Sequence, residues 1–291
     1  MPLLETSISS GALTAEWKRQ LGVIPTPKFN EGTEFRLWRC PASQLRFFTP
    51  AAPGDGQFYA AMRETRSYYQ IDKWEHEQAL EMVRPGDRVL DVGCGDGAFL
   101  GNCVASGASA VGLELNPAAV VQARSAGLEV LDCQVESHLE ANRGTYDLVC
   151  AFQVLEHVEA PLDFLNALAA LVKPGGRLIV GVPNGDGWIA DGGSIYQWPP
   201  HHLTWWGRAS LAYLQCCLPV VLERIAQEPL RSTQRRARAL ALLEPSLVPG
   251  PRSGGLIGKI RRRLMGMSVL ALSPRSHHDG ETLLAVYQRN S

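Results

Sequence analysis

The sequence predicts an α/β fold with a parallel, doubly wound sheet, and three observations lead to this prediction. Five short apolar runs alternate with helical stretches between residues 88 and 183, which is the order of βαβ units. Such runs are typical of strands whose two faces are both covered by helices. With 291 residues, of which 45% are hydrophobic, the chain is long enough for one large domain with small additions.

This core is preceded by a cap and interrupted by an insertion. Residues 1–74, rich in proline and aromatic residues, form a small N-terminal cap, and the core occupies 75–230. Core strands are predicted at 88–93, 108–115, 127–133, 146–152, 176–183 and 220–228, and core helices at 74–83, 97–105, 117–126, 161–172 and 209–217. Residues 231–275 form a basic and apolar helical insertion, and the alternating pattern within 276–291 suits a final antiparallel edge strand.

Composition and charge exclude several classes of protein. No apolar run approaches the roughly 20 residues of a membrane-spanning helix, and acids stand where a secretory signal has a basic cluster, so we expect a cytoplasmic protein. The net charge is −1, although residues 231–263 hold nine Lys or Arg against one acid. We expect a solvated helix face there, or a weak contact with an anionic surface, and no specific nucleic acid. The seven cysteines form no CxxC pair and are expected to be reduced thiols.

The sharpest motif is a glycine loop between the first core strand and the next helix. It reads Asp91-Val-Gly-Cys-Gly-Asp-Gly97, and its glycines permit a tight turn and a close approach of the backbone to a ligand. Glu114 ends the second strand 17 residues after Gly97, where a carboxylate can accept hydrogen bonds from two ribose hydroxyls. The pattern indicates a cofactor that contains a nucleoside.

In these features the chain resembles the class I S-adenosylmethionine-dependent methyltransferases, because its loop has GxGxG spacing and not the GxGxxG of NAD-binding proteins. The resemblance covers about residues 75–230 and includes the turns that follow or precede the later strands, at 132–133, 152–157 and 173–176. It implies a Rossmann-like, seven-stranded mixed sheet whose last strand is antiparallel. It also implies S-adenosylmethionine as the methyl donor.

The resemblance assigns cofactor contacts to four groups of residues. The residues facing the methionine part would be Asp91, Gly93, Cys94, Gly95 and Gly97. Glu114 would hold the ribose, Leu115 would pack near the adenine, and Asp132 and the backbone of Cys133 would bind the adenine edge. The floor where the methyl group leaves would be lined by Phe152, Gln153 and His157.

The residues predicted to line the floor partly match a metal-binding motif. Related O-methyltransferases, including ubiquinone-biosynthetic and small-RNA 3′-end enzymes, bind a divalent metal through Glu-x-x-Glu-His. This chain has Gln153 at the first position and Glu156-His157 at the last two, and a hard cation prefers carboxylates to amides. We expect no metal, although His201 or His202 could complete a set with Glu156 and His157. The other interpretation is that Leu-Glu-His caps the helix after the fourth strand.

Two adjacent histidines among aromatic residues follow the fifth strand, in Trp198-Pro-Pro-His-His-Leu-Thr-Trp-Trp206. Ligands of open parallel sheets bind outside the carboxyl ends of the strands, and the pKa of histidine suits a general base for a hydroxyl acceptor. We predict His202, His201 and His157 as catalytic candidates, and expect only one of the adjacent pair to face inward. The tryptophans, with Trp188, are predicted to form a hydrophobic lid.

The N-terminal segment carries a second resemblance. Arg39-Cys40-Pro-Ala-Ser43, followed by Tyr68-Tyr69, is similar to the second half of a zinc ribbon that is fused to many such methyltransferases. Ser43 replaces the second thiolate and no CxxC precedes it, so four zinc ligands cannot be assembled. We expect a packing or substrate-facing cap.

The predicted function is methyl transfer to a small molecule, preferably to a hydroxyl of a sugar or quinol-type metabolite, with N- and C-methylation left open. Two alternatives remain. One is a methyltransferase that acts on RNA or a lipid-linked substrate through the basic insertion, and the other is a non-catalytic scaffold that binds the cofactor. The intact glycine loop and Glu114 favour the enzyme, because a scaffold has no need of a ribose-binding acid.

Overall fold

The computed structural model describes residues 1–65, 73–187, 194–229 and 280–291. The chain divides into two compact units. The cap unit comprises Met1–Tyr69, Pro183–Gly207 and Gln227–Thr282, and the sheet unit comprises Gln70–Val182, Arg208–Ala226 and Leu283–Ser291. The predictions for the basic insertion at 231–275, for Tyr68-Tyr69 and for Trp188 lie outside the described residues.

The cap unit contains a four-stranded sheet of order β1-β2-β3-β9 and two helices. Its strands are β1 (Leu3–Ser9), β2 (Glu34–Arg39), β3 (Arg46–Thr49) and β9 (Thr204–Trp205), and its helices are α1 (Ser10–Leu21) and α2 (Gly56–Glu64). Helix α1 begins where the Ser9 hydroxyl accepts the N–H of Ala12, and it ends at Gly22 in the left-handed region. Helix α2 begins in the same way, because the Asp55 carboxylate accepts the N–H of Phe58 at 2.9 Å.

Aromatic side chains fill the core of the cap unit. Trp17 is fully buried, and its indole N–H donates to the carbonyl of Pro199 at 2.8 Å. Trp198 and Trp205 are at most 5% exposed and pack in this core, so the prediction of a tryptophan lid is wrong for these two. They belong to the core because β9 pairs with β3, which carries the segment around it into this sheet.

The sheet unit is built on a seven-stranded mixed sheet of order β10-β11-β8-β7-β4-β5-β6, whose last strand in the chain is antiparallel, as the sequence predicts. The strands are β4 (Arg88–Val92), β5 (Ser109–Leu113), β6 (Glu129–Leu131), β7 (Tyr146–Phe152), β8 (Val172–Pro183), β10 (Val220–Gln227) and β11 (Thr282–Arg289). The helices are α3 (Trp74–Leu80), α4 (Ala98–Ala105), α5 (Pro117–Ser125), α6 (Val135–Asn142), α7 (Pro161–Leu171) and α8 (Arg208–Tyr213).

The strand order reverses between β4 and β7. From β4 the chain runs outward to β5 and β6, and then returns to β7 and β8 on the other side of β4, with all of these neighbours parallel. Ligands of open α/β sheets bind outside the carboxyl ends of the strands at such a reversal. The topology therefore predicts a ligand site among the residues that follow β4, β5 and β7.

Two local predictions differ from the structure. The turn predicted at 173–176 lies inside β8, because pairing with β7 jumps from Tyr146↔Val172 to Leu148↔Arg177 and the intervening residues form a bulge. Helix α6 has no counterpart among the predicted elements, since it buries only Val135 and His138 and so lacks an apolar stripe. Within the described residues, no helix combines the length and the apolar character needed to cross a membrane.

Candidate active site

The glycine loop joins the end of β4 to α4 at the strand reversal. Gly93, Gly95 and Gly97 all have positive φ, at 78°, 57° and 83°. A Cβ on Gly93 would lie 2.4 Å from Val154 Cγ2, and one on Gly97 would lie 2.4 Å from Leu128 Cδ1, whereas one on Gly95 would meet nothing within 4 Å. Packing therefore requires two of the glycines, and the third leaves an open cradle that suits part of a ligand.

This difference predicts that alanine at Gly95 and alanine at Gly97 act differently. We expect Gly95→Ala to cost about 1 kcal/mol of stability, because only the left-handed backbone is strained, but to lower the affinity for S-adenosylhomocysteine at least about ten-fold. Gly97→Ala is expected to cost roughly 2–4 kcal/mol, because Leu128 must move as well. Thermal unfolding and calorimetric titration measure the two effects. Wild-type affinity in Gly95→Ala would show that no ligand occupies the cradle.

Two carboxyl groups stand at the ends of β4 and β5. Asp91 is 2% exposed and its Oδ1 has no hydrogen-bond partner among the described residues. Burial raises the pKa of Asp91 to about 7, and Glu114 adds to the increase while Lys73 opposes it. Glu114 accepts the N–H of Gly95 at 2.9 Å and the N–H of Asn116 at 2.7 Å. A carboxylate has about four lone-pair positions, so Glu114 keeps acceptor capacity for two hydroxyls.

The other predicted cofactor residues on this side are arranged as follows. Leu115 directly follows Glu114 and is 59% exposed, which is high for a large apolar side chain and suits a ligand surface. Asp132 is exposed and Cys133 is half-buried, in the turn after β6. Cys94 is 8% exposed and its Sγ packs against Gly112 of β5; burial raises the pKa of its thiol far above the ordinary range, so the side chain is a neutral thiol in the core.

The turn after β7 contacts Glu75, a buried residue that the sequence analysis missed. Gln153 follows Phe152 with a φ of 57°, donates its backbone N–H to Gly181 at 2.8 Å, and donates its side-chain amide to Glu75 Oε1 at 3.2 Å. Glu75 lies in the first turn of α3 and is 4% exposed. The sequence contains one signal for this residue, because Glu75 lies four positions before Ala79 and so on the same, buried face of the helix.

Glu156 is the second buried carboxyl group in this turn. It is 1% exposed, its Oε2 has no partner among the described residues, and its Oε1 lies 3.7 Å from Nε2 of His157. Burial raises the pKa of Glu156 to about 8; Lys73 opposes the increase and Glu75 adds to it. The interpretation of Leu-Glu-His as a helix cap is wrong, because α7 begins after Ala160 and no side chain caps it.

His201 and His202 lie in the cap unit, and both are buried, at 6% and 4% exposure. The expectation that only one faces inward is therefore wrong; both N–H groups turn back to the carbonyl of Trp198, so the alternation of regular structure does not apply. The rings stack at 4.4 Å between centroids. Nδ1 of His201 lies 2.9 Å from the carbonyl oxygen of Tyr196, which can only accept, so Nδ1 carries the proton and Nε2 is the basic nitrogen.

The segment that resembles a zinc ribbon is the hairpin between β2 and β3. Its turn closes through backbone bonds, in which Cys40 N–H donates to Leu45 at 2.9 Å and Gln44 N–H donates to Cys40 at 2.8 Å. Glu5 of β1 lies between the guanidinium groups of Arg39 and Arg46, at 2.9 and 3.1 Å. Backbone hydrogen bonds and these ion pairs stabilise the hairpin.

Comparison with known proteins identifies the family. A family model described as a methyltransferase domain matches residues 62–214, which is more than half of the chain. A ubiquinone biosynthesis O-methyltransferase of Vibrio cholerae is 36% identical over 129 residues, which cover 42% of this chain and 53% of that protein. The chain thus matches about half the length of these curated relatives.

Solved structures agree with the fold. A SAM-dependent methyltransferase from Archaeoglobus fulgidus has a TM-score of 0.51 at 16% identity, covering 73% of this chain and 90% of that one. An S-adenosylmethionine-dependent methyltransferase from Mesorhizobium loti also has a TM-score of 0.51 at 16% identity, covering 76% of this chain and all of that one. With the family model, the glycine loop and the seven-stranded sheet, they place the chain in a family: it belongs to the class I S-adenosylmethionine-dependent methyltransferases.

Proposed function

We propose that this chain transfers a methyl group from S-adenosylmethionine to a hydroxyl of a small molecule, of the sugar or quinol type. The observation that carries the proposal is the cradle at Gly95, whose N–H is bound by Glu114 at the adjacent strand end. When bound, the cofactor supplies an electrophilic methyl group on a positively charged sulfur. The protein has to bind, orient and exclude water.

Different residues are proposed to contact different parts of the cofactor. Asp91 offers its Oδ1, which has no hydrogen-bond partner in the described part of the chain, to the ammonium of the methionine part, beside Gly93, Cys94, Gly95 and Gly97. Glu114 offers its remaining lone pairs to the ribose, and the exposed side chain of Leu115 packs on the adenine. Asp132 and the backbone of Cys133 bind the adenine edge, while Phe152 and Gln153 line the floor.

A hydroxyl acceptor is supported by the relatives that are named as O-methyltransferases. A hydroxyl attacks the methyl group only as its proton is removed, and a histidine is suited to remove it. His202, His201 and His157 remain the predicted bases. The tautomer of His201, with its proton on Nδ1, leaves Nε2 to accept a proton.

Calorimetric titration with S-adenosylhomocysteine tests the cofactor site without knowledge of the acceptor. We expect a dissociation constant in the range of about 1–100 μM. Transfer of a labelled methyl group to a panel of catechols, hydroquinones and sugars then tests the acceptor class. A folded protein that binds no S-adenosylhomocysteine would refute the proposal, and transfer to amines alone would refute the hydroxyl acceptor.

A further inference from the structure

We propose that the side chain of Gln197 positions His202, so that His202 is the proton acceptor of the adjacent pair His201 and His202. The inference rests on the proposed function, because it decides between two of the predicted bases. It adds a positioning residue, Gln197, that no predicted motif contains. All the residues on which it depends belong to the cap unit.

Gln197 contacts the imidazole ring of His202 through its side chain. The amide oxygen, Oε1, lies 3.3 Å from Nδ1 of His202, and the two residues are 5% and 4% exposed. An amide oxygen only accepts hydrogen bonds, so this contact requires a proton on Nδ1. A neutral imidazole has one ring proton, and its lone pair then lies on Nε2. The contact thus selects the tautomer in which Nε2 can accept a proton.

The main chain of Gln197 is fixed from two directions. Gln197 ends the short 3₁₀ helix Ile195–Gln197, and its N–H donates to the carbonyl of Ser194 at 3.1 Å. Its own carbonyl accepts the indole N–H of Trp205, which lies in the core of the cap unit. An anchored main chain leaves the side-chain amide few positions to adopt, and a restrained acceptor of this kind orients the ring that it contacts.

His201 has a different environment, although its ring stacks on that of His202. Its Nδ1 lies 2.9 Å from a backbone carbonyl, so no side chain selects its tautomer. Four aromatic rings have their centroids between 5.7 and 6.4 Å from the centroid of its imidazole, namely those of Trp17, Phe58, Tyr59 and Tyr196. Aromatic packing accounts for the position of His201, which leaves His202 as the base of the pair.

The tautomer decides whether His202 can act as a base. As the hydroxyl oxygen takes the methyl group from sulfur, its proton passes to Nε2, and the positive charge of the sulfur is replaced by that of the imidazolium. In the other tautomer, the only lone pair of the ring lies at Nδ1 and faces Gln197. In serine hydrolase triads, an acceptor at Nδ1 has the same positioning role, and selecting the wrong tautomer lowers kcat about 10⁴-fold.

Nitrogen NMR of the full chain with ¹⁵N-labelled histidine measures the tautomer at about pH 8.5, where a histidine of ordinary pKa is neutral. The signals of His202 are those that disappear in His202→Gln. We expect the wild-type protein to carry the proton on Nδ1, and Gln197→Leu to lower the ratio of Nδ1–H to Nε2–H about five-fold or more. His201 is the internal reference, since its backbone acceptor is unchanged.

Gln197→Glu distinguishes the two orientations of the amide. A carboxylate only accepts hydrogen bonds, so this variant should keep the proton on Nδ1, as in the wild-type protein. An amide that faced the ring with its nitrogen would instead give opposite tautomers in the wild type and in Gln197→Glu. Gln57→Leu and Gln57→Glu make the same changes at an exposed position of α2, and these matched controls should leave the tautomer of His202 unchanged.

Transfer of a labelled methyl group to the catechol or hydroquinone with the highest turnover tests the role of the base. We expect Gln197→Leu to lower kcat at least about ten-fold while the KM for S-adenosylmethionine changes less than about two-fold, because the tautomer acts in the chemical step. Gln197→Glu should be the more active of the two variants, since it restores the acceptor.

Three results would overturn the inference: a proton on Nε2 in the wild-type protein, a tautomer that Gln197→Leu does not shift, or an unchanged kcat in a variant whose tautomer has shifted. If Gln197→Leu does not fold, the wild-type tautomer and Gln197→Glu still decide. A folded protein that methylates none of the hydroxyl compounds would refute the proposed function, whereas the NMR measurement would still decide whether Gln197 positions His202.

Discussion

Glu114→Ala is expected to lower the affinity for S-adenosylhomocysteine at least about 100-fold, because the substitution removes two kinds of contact together. The carboxylate would bind the ribose hydroxyls, and it also holds the loop by accepting the N–H of Gly95 at 2.9 Å. Without it, the ligand loses charge-assisted hydrogen bonds, and Gly95 is no longer fixed in the turn. Calorimetric titration measures the affinity directly.

Two control variants test whether the loss of affinity is due to the Glu114 carboxylate. Glu136→Ala removes an exposed glutamate from the first turn of α6, and we expect it to bind as the wild-type protein does. Glu114→Gln keeps the length of the side chain and its carbonyl oxygen, so it should retain part of the affinity. Equal binding by wild-type protein and Glu114→Ala would show that this strand end does not hold the ribose.

The core of the fold is predictable from the sequence because its signals are local. Strands β4, β5 and β7 are continuous apolar runs between glycine or polar turns, and the predicted bounds agree with the observed ones to within two residues. The glycine loop is equally visible, since a positive φ strongly favours glycine and three such residues stand close together in it.

Other features depend on contacts between distant segments. Glu75 contacts Gln153, 78 positions away, and a single helix pattern does not show that pairing. Trp198 and Trp205 look like parts of a lid as a sequence, but pairing between β3 and β9 places this segment in the core of the cap unit. The bulge in β8 likewise arises from its register against β7.

The buried acids also predict how stability depends on pH in the absence of ligand. Burial raises the pKa of Glu156 from 4.5 to about 8 and that of Asp91 from 3.8 to about 7. Between the lower and the higher value, the native state keeps a proton that the unfolded state has lost, so the free energy of unfolding falls as the pH rises. We expect the decline to begin near pH 3.8, where unfolded Asp91 loses its proton, and to level off above about pH 8.

Glu156→Gln isolates one of the two contributions, because its amide is neutral at every pH. Near pH 5 the variant and the wild-type protein should be similar in stability, and above about pH 8 the variant should be the more stable by several kcal/mol, at most about 5. Denaturant unfolding across this range measures the difference, and Glu77→Gln, which alters an exposed acid, should follow the wild-type curve. Parallel curves for Glu156→Gln and wild type would show that Glu156 ionises normally in the folded protein. In that case the carboxyl group has access to water or to a charged partner, and burial does not govern its pKa.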